Sequence, residues 1–414
     1  MPADITDPSL AEAGAQRVDF AERSMPVLGL LRERYAADRP FDGVSIAACM
    51  HVTAETAAFA RTLLAGGAAL HLAASNPLST QDDVAAALVA EGVDVQARHG
   101  VDRAGYVRHL ERALDGRPQL VLDDGVDLVG VLHTSRTELL DGVRGGCEET
   151  TTGVLRLRQM AADGALRIPM VAVNDTAMQR LVANRHGTGQ STVDAVIRAT
   201  GTLLAGATVV VAGYGWCGAG VASRARGLGA QVLVTEVDPA RALEAVLDGY
   251  RVLPMAQAAA VGDVFLTVTG NRDVLTAEHF ALMRDGAVLA NAGHFDVEID
   301  VPALETSAVE VRRRFRPHVD EYVQGDGRRL LLLAEGRLAN LAAAEGHPPA
   351  VMDMSFALQA LTAQWLLDTD LAPGVHELPA SLDAEVARTK LAALGVGLDD
   401  LTADQERYLS SWQV

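Results

Sequence analysis

A glycine-rich turn between two apolar runs constrains the fold of this chain more than any other stretch. The run Val209–Val211 leads into a turn that contains Gly213, Gly215 and Gly218, and after an alanine-rich segment a second apolar run ends at Glu236. This order predicts a buried strand, a tight turn, a helix and another strand. Gly213 permits the turn, Gly215 lets backbone N–H groups approach a pyrophosphate, and Gly218 lets the helix pack closely on the strand.

The acid at the end of the second run indicates which dinucleotide would bind. Glu236 stands 21 residues after Gly215. A carboxylate at this place accepts hydrogen bonds from both ribose hydroxyls and would repel a 2′-phosphate. The glycines alone could reflect helix packing. Here, however, the predicted strand, the predicted helix and the terminal acid follow one another with the spacing of a dinucleotide-binding motif. The sequence therefore predicts a Rossmann-type domain that binds NAD rather than NADP.

The charge and composition exclude several classes of partner. The formal net charge is −19, whereas a surface that binds nucleic acid is basic. A membrane span would require a run of about twenty apolar residues, and the sequence contains no such run. The N-terminus lacks the apolar core of a signal peptide. Cys49, Cys147 and Cys217 have neither metal-ligand nor disulfide spacing. We therefore expect a cytoplasmic protein with no nucleic-acid partner, no membrane association and no metal site.

Outside the glycine-rich region, short apolar runs alternate with segments of helical periodicity. After a helical segment in residues 1–45, strands are predicted near 44–50, 68–73, 93–97, 120–122 and 169–173. This alternation predicts a parallel sheet with helices on both faces. A second sheet should run from about residue 203 to 341, and the helical tail beyond it should return to the first sheet.

The predicted fold is therefore α/β, with two doubly wound parallel-sheet domains. The C-terminal domain is of Rossmann type and is inserted into the first. We place the first domain, which would bind substrate, at residues 1–184 and 345–414, and the NAD-binding domain at residues 185–344.

Polar residues recur at the carboxyl ends of the predicted strands, where an open α/β sheet binds its ligands. Taken singly, each could be a turn residue, a helix cap or a solvated side chain, and His294 could be a surface histidine. Because five clusters share one topological position, we expect them to line one cleft. They are His51 with Thr53, Ser75 with Asn76, Asp123 with Asp124, the stretch Glu148–Thr152, and Asn174 with Asp175; His294 follows a strand of the second sheet.

The chain resembles the S-adenosylhomocysteine hydrolases (adenosylhomocysteinases) over essentially its whole length. Its ending at Trp412-Gln413-Val414 is similar to the shorter archaeal and thermophilic-bacterial branch, which lacks the C-terminal lysine/tyrosine extension of longer members. The resemblance rests on Cys49–Thr56, Ser79–Asp82, Asp123–Gly125, Glu148–Gly153, Val173–Asp175, Gly213–Gly218, Gly293–Asp296, Leu333–Leu338 and Gly346–Pro348.

The resemblance implies a reaction, a set of site residues and a homotetramer. C3′ of a nucleoside ribose is oxidised by bound NAD, C4′ loses a proton, and the 5′-thiolate is eliminated; water then adds to the 4′,5′-enone and the ketone is reduced again. The implied catalytic residues are His51, Asp124, Glu149, Asn184 and His294. Substrate would be bound by Thr53, Glu55, Gln179, Ala183, His347, Met352 and Phe356, and NAD by Thr150, Thr151, Thr152, Gly213, Gly215, Gly218, Glu236, Asn271 and Asn340.

The chain departs from the family at Gln179 and Ala183. The family has a lysine and an aspartate at these positions, both of which contact the ribose 2′/3′ hydroxyls; the two lie on one helix face. A hydrogen bond to a charged group is worth about 1.5–3 kcal/mol, and losing a positioned proton-transfer group costs roughly 10²–10⁴-fold in rate. Arg180 could supply the missing cation, although a neighbouring helical position points about 100° away.

Three functions remain open at this point. We prefer an NAD-dependent enzyme of this family that is redirected to another adenosine-type nucleoside or nucleophile, with a role in specialised metabolism. The second is an ordinary S-adenosylhomocysteine hydrolase that tolerates the two changes. The third is a non-enzymatic protein that keeps NAD and a nucleoside as ligands and regulates a partner. The sequence does not identify the substrate or the nucleophile.

Overall fold

The computed structural model describes residues 3–412. Gln413 and Val414, on which part of the resemblance to the shorter branch rests, lie outside this range. Across residues 3–412, none of the helices combines the length and hydropathy that a membrane span requires.

Two sheets contain the fifteen strands of the described chain, which are numbered here in chain order. They are β1 (Ser45–Met50), β2 (Ala69–Ala74), β3 (Asp94–Gln96), β4 (Leu120–Asp123), β5 (Gly145–Glu148), β6 (Pro169–Ala172), β7 (Thr208–Ala212), β8 (Gln231–Thr235), β9 (Arg251–Val252), β10 (Val264–Thr267), β11 (Ala287–Asn291), β12 (Ala308–Arg316), β13 (Val319–Gln324), β14 (Arg329–Leu333) and β15 (Gly374–His376).

Seventeen α-helices surround these sheets in residues 3–412. They are α1 (Ala11–Glu22), α2 (Pro26–Asp38), α3 (Ala54–Ala65), α4 (Asp82–Ala90), α5 (Arg103–Ala113), α6 (Asp127–Thr134), α7 (Thr151–Ala162), α8 (Thr188–Thr200), α9 (Trp216–Gly227), α10 (Pro239–Leu247), α11 (Met255–Ala259), α12 (Ala277–Phe280), α13 (Val301–Ser307), α14 (Ala339–Ala342), α15 (Pro349–Asp368), α16 (Ala380–Ala393) and α17 (Ala403–Ser410).

The first sheet is parallel throughout, as the βα alternation predicts. Its strand order is β15-β6-β5-β4-β1-β2-β3. β4 is the central strand, and its neighbour β1 pairs with β2 and β4, so that Ile46 lies between Leu70 and Leu120. The C-terminal tail returns to this sheet, because β15 pairs with β6. The sheet is therefore built from both ends of the chain, as expected for a discontinuous domain, while the boundaries at 184/185 and 344/345 stay a prediction.

The second sheet contains the predicted strand, turn, helix and strand, as β7, α9 and β8. Its order is β12-β13-β14-β11-β10-β7-β8-β9. The predicted parallel pairing is confirmed for β7–β11 and β14. At one edge the sheet is extended by an antiparallel hairpin of β12 and β13, and β13 also runs antiparallel to β14. Only Pro317 and His318 separate the two hairpin strands, and a parallel pair would require a crossover of a dozen residues or more.

Helix α15 joins the core to the floor of the cleft between the sheets. It is buried without a break from Asp353 to Ala363, as expected of a helix that is apolar on nearly every face. Phe356 stacks on Phe59 of α3 with ring centroids 4.9 Å apart. Since α15 is fixed in this way, its polar residues are held in place where they approach the carboxyl end of the first sheet.

Candidate active site

A cavity of about 520 Å³ lies between the carboxyl ends of the two sheets, which is within the ordinary size range of small-molecule sites. Most of the predicted site residues line it. Those in the lining are His51, Thr53, Glu55, Asp124, Glu149, Thr150, Thr151, Thr152, Gln179, Asn184, Gly215, His294, Asn340, His347, Met352 and Phe356.

Several other residues singled out from the sequence lie behind or beside this lining. Ser75 and Asn76, Asp123 and Glu148 support the lining rather than form it, and Asn271 is exposed. The remaining members of the predicted set, which also lie outside the lining, are Ala183, Gly213, Gly218 and Glu236. The expectation that all five polar clusters face the cleft is therefore met in part.

His51, Asp124 and His294 form one polar cluster in the cavity wall. His51 Nε2 lies 3.2 Å from Asp124 Oδ2, and His294 Nδ1 lies 3.8 Å from Asp124 Oδ1. Ser75 Oγ donates to Asp124 Oδ2 at 3.1 Å. Burial lowers the pKa of His51, although the charge of Asp124 acts against this. His51 and Asp124 follow strands of the first sheet, whereas His294 follows a strand of the second. A ligand bound at this cluster would therefore contact residues of both sheets.

Asp123 and Glu148, which precede Asp124 and Glu149 in the chain, stabilise the backbone of the neighbouring turn. Asp123 accepts from four backbone N–H groups around the start of α6, and burial raises its pKa to about 7. Glu148 accepts from the N–H groups of Gly125 and Val126, and burial, with Asp123 nearby, raises its pKa as well. Since the first acid of each pair builds the turn, the second acid projects into the cavity.

Glu149 lies in the wall with a pKa suited to proton transfer. Its Oε1 accepts from Ser355 Oγ of α15 at 2.9 Å. Burial and the charge of Asp124 raise its pKa to about 7, while neutral donors including Gln179 oppose the rise. A carboxyl with this pKa can both take up and release a proton near neutral pH.

Gln179 and Ala183 share a buried face, as their spacing predicts, although Gln179–Gly187 is a π-helical stretch and not an α-helix. Gln179 is 4% exposed, and its Oε1 has no hydrogen-bond partner among residues 3–412. Arg180 forms an ion pair with Asp175, with Nη2 and Oδ1 3.0 Å apart. Both partners of this ion pair line the cavity, and whether Arg180 supplies a cation to the ribose stays a prediction.

His347 packs against the end of this stretch, since a Cβ on Gly187 would lie 3.1 Å from its ring. Thr188 Oγ1 is 3.0 Å from His347 Nε2. Burial, with His51 nearby, lowers the pKa of His347 to about 4. A neutral imidazole in the wall can donate or accept a hydrogen bond without bringing a charge into the cavity.

The glycine turn of the second sheet fits a dinucleotide. Gly213 has φ +97°, and a Cβ on Gly218 would lie 1.9 Å from the oxygen of Gly213. Glu236 ties this turn to the end of β8, since its Oε2 accepts from Tyr214 N at 2.6 Å. Asn340 is 3% exposed and its Oδ1 has no partner within the described part of the chain, which leaves a buried acceptor for a ligand.

Arg241 is a cavity residue that the sequence analysis did not find. Its Nη1 lies 3.3 Å from the place of a Cβ on Gly215, so a cation stands over the turn where a pyrophosphate would bind. The available signal was a basic residue in the first turn of α10, five positions after Glu236.

Glu298 and Asn291 are two further residues that the analysis did not select as site residues. Glu298 accepts from Thr269 N and Gly270 N, and Asn291 binds the backbone of Gly293. They fix the loops that carry the cavity wall, and no local pattern distinguishes them from other strand-end residues.

A Rossmann-type sheet whose glycine turn faces acids and imidazoles of a second α/β sheet defines a dinucleotide-dependent enzyme. Two family models match: "S-adenosyl-L-homocysteine hydrolase" over residues 3–140 and "S-adenosyl-L-homocysteine hydrolase, NAD binding domain" over residues 184–346. The chain is 56% identical to the adenosylhomocysteinase of Aquifex aeolicus, with 100% of each chain covered. It is 55% identical to that of Thermosynechococcus vestitus, covering 99% of this chain and 96% of the relative, and 54% identical to that of Pyrococcus abyssi, covering 99% and 97%.

This protein therefore belongs to the adenosylhomocysteinase family, and it is an enzyme with NAD as its cofactor. The comparisons favour ordinary hydrolase activity over the redirected substrate that the sequence analysis preferred. They give no support to a non-enzymatic role.

Proposed function

We propose that this protein hydrolyses S-adenosylhomocysteine, with release of homocysteine. The proposal is supported by the full-length identity to adenosylhomocysteinases. The observation that carries it is the placement of His51, Asp124 and Glu149 on one side of a cavity whose other side is the glycine turn of the Rossmann sheet. A nucleoside sugar held between them meets acid–base groups and a cofactor site together.

The residues of the first sheet would move the protons of this reaction. Bound NAD supplies reversible oxidation of the sugar carbon. Glu149, with its pKa of about 7, would exchange a proton with a sugar hydroxyl. His51 and Asp124, 3.2 Å apart, would exchange the proton lost from the neighbouring sugar carbon. His347, which stays neutral at pH values well above 4, would bind the ligand through a hydrogen bond.

A second candidate function is the same oxidation and elimination chemistry on another adenosine-type nucleoside. It is favoured by two observations. The described residues that line the cavity include no lysine, and Gln179 Oε1 has no hydrogen-bond partner among residues 3–412. A glutamine can donate to a hydroxyl, but unlike an ammonium group it does not stabilise the alkoxide by charge. A substrate that donates a hydrogen bond to Gln179 would satisfy this buried oxygen.

One experiment separates the candidates. The purified protein is incubated with S-adenosylhomocysteine while released thiol is measured, and in parallel with a panel of adenosine analogues while the absorbance of reduced nicotinamide is followed. Release of homocysteine establishes the hydrolase. Reduced nicotinamide with another nucleoside, without homocysteine release, favours the second candidate. Nucleoside binding with neither signal would refute both.

A double variant and a matched control test positions 179 and 183 directly. Gln179→Lys with Ala183→Asp restores the residues of the family, and we expect thiol release to rise by roughly 10²–10⁴-fold. Leu181→Lys is the matched control, because it adds a lysine to the same stretch at a position that is 43% exposed. An equal gain in both variants, or no gain in the double variant, would show that these positions do not limit the reaction.

Three further properties stay predictions from the resemblance. They are a homotetramer, a cytoplasmic location and the individual roles of the site residues. Sedimentation of the NAD-loaded protein would test the first.

A further inference from the structure

Ser79 lies directly behind His51, on a short helical turn (Pro77–Ser79) that follows β2. It is 5% exposed. Its Oγ is 2.6 Å from His51 Nδ1 and 2.9 Å from the backbone oxygen of Asn76. The side of the imidazole that faces away from the cavity therefore meets a hydroxyl group and not water.

A hydroxyl group both donates and accepts, so it can serve His51 in either protonation state. When His51 is neutral with its proton on Nε2, toward Asp124, Nδ1 accepts the hydrogen of Ser79. When His51 is an imidazolium, Nδ1–H donates to the oxygen of Ser79, and the hydrogen of Ser79 turns to the oxygen of Asn76. Neither state leaves a buried ring nitrogen without a partner, which would cost free energy.

The backbone oxygen of Asn76 has other hydrogen-bond donors, so rotation of the Ser79 hydroxyl away from it costs little free energy. It also accepts from Ser79 N–H at 3.2 Å and from Thr80 Oγ1 at 3.2 Å. The oxygen therefore keeps two donors when the Ser79 hydrogen points to His51. Because a hydroxyl rotates about a single bond, no heavy atom has to move when the proton count of His51 changes.

We propose that Ser79 is a positioning residue that holds the His51 ring with Nε2 toward Asp124 and the cavity, and that its hydroxyl rotates as His51 gains and loses a proton. The inference rests on the proposed function only in assuming that His51 exchanges protons during turnover. The other titratable groups that face His51 are Asp124, His294 and His347. Of these, Asp124 stabilises the imidazolium, whereas His294 destabilises it when charged.

The test compares Ser79→Ala and Ser79→Thr with the parent protein, and uses Thr80→Ala as a matched control. Thr80 donates to the same Asn76 oxygen, so its loss changes the turn without touching His51. The ring protonation is read by nitrogen-15 NMR of histidine-labelled protein, with His51 assigned from a His51→Gln variant. Turnover is read as the pH profile of kcat and as kcat against KM.

We expect Ser79→Ala to lower the pKa of His51, because the imidazolium loses a charge-assisted hydrogen bond. We expect kcat to fall by roughly 10-fold to 100-fold, the range that such a bond corresponds to, with a smaller change in KM. Ser79→Thr keeps the hydroxyl and should restore both properties, and Thr80→Ala should resemble the parent.

Three outcomes would overturn the proposal: an unchanged His51 titration in Ser79→Ala, equal effects in Ser79→Ala and Thr80→Ala, or no rescue by threonine. If Ser79→Ala fails to fold, Ser79→Cys replaces it, since a thiol is similar in shape but a weak hydrogen-bond partner, and a parent-like titration of that variant counts against the proposal. The NMR readout needs no turnover. A parent protein that releases no homocysteine would therefore refute the proposed function and still leave the role of Ser79 decided.

Discussion

Replacing Glu149 by glutamine tests whether the cavity itself raises the pKa of this carboxyl. Burial and the charge of Asp124 raise that pKa from 4.5 to about 7. Between these values the folded protein holds the proton more tightly than the unfolded chain does. The stability contributed by the protonated carboxyl is therefore fully present below pH 4.5 and is lost as the pH rises to about 7. At about 1.4 kcal/mol for each pH unit, the full loss is at most about 3.5 kcal/mol.

The glutamine variant does not titrate, and its amide oxygen can still accept from Ser355. Parent and Glu149→Gln should therefore unfold at similar temperatures near about pH 5, whereas near about pH 8 the variant should be the more stable by a few degrees. The assay is thermal unfolding of the substrate-free protein across this pH range. Glu33→Gln, at an exposed position of α2, controls for the loss of a charge. A difference that stays constant with pH would refute the argument.

Three further predictions concern the cofactor site and the core. Gly218→Ala should release NAD during gel filtration, because the new Cβ would lie 1.9 Å from the oxygen of the glycine turn. Glu236→Ser should weaken NAD binding by about 1.5–3 kcal/mol and reduce the difference in affinity between NAD and NADP, with both affinities measured by calorimetry. Lys390→Met leaves the buried Asp353 without its cation, 2.8 Å away, and should destabilise the protein by about 3–5 kcal/mol in thermal unfolding; Arg388→Met, at an exposed position, should have little effect.

The region around the glycine turn was predictable because its signals are local. The apolar run before Gly213, the turn and the acid Glu236 stand close together in the chain, and the structure has β7, α9 and β8 at those places. Apolar periodicity likewise predicted β1, β2 and β4. In each case the residues that specify the element lie within it or beside it.

Strands that depend on their neighbours were not predictable. β5 begins with Gly145 and Gly146, which lack the branched side chains that indicate a strand. It is a strand because β4 and β6 flank it on both sides. The β12–β13 hairpin was not predicted because β12 is rich in arginine. This strand is paired with β13, where Arg312 and Arg313 form ion pairs with Glu321 and Asp320.

The sequence by itself determined the family resemblance, the NAD cofactor and the set of residue types available for chemistry, because these depend on short motifs. Only the tertiary structure decided that Glu148 builds a turn while Glu149 faces the cavity, and that Arg180 is bound to Asp175. The physical reason is that the direction of a side chain and its pKa depend on what packs against it. For Glu149 that neighbour is Ser355, which lies 206 residues further along the chain.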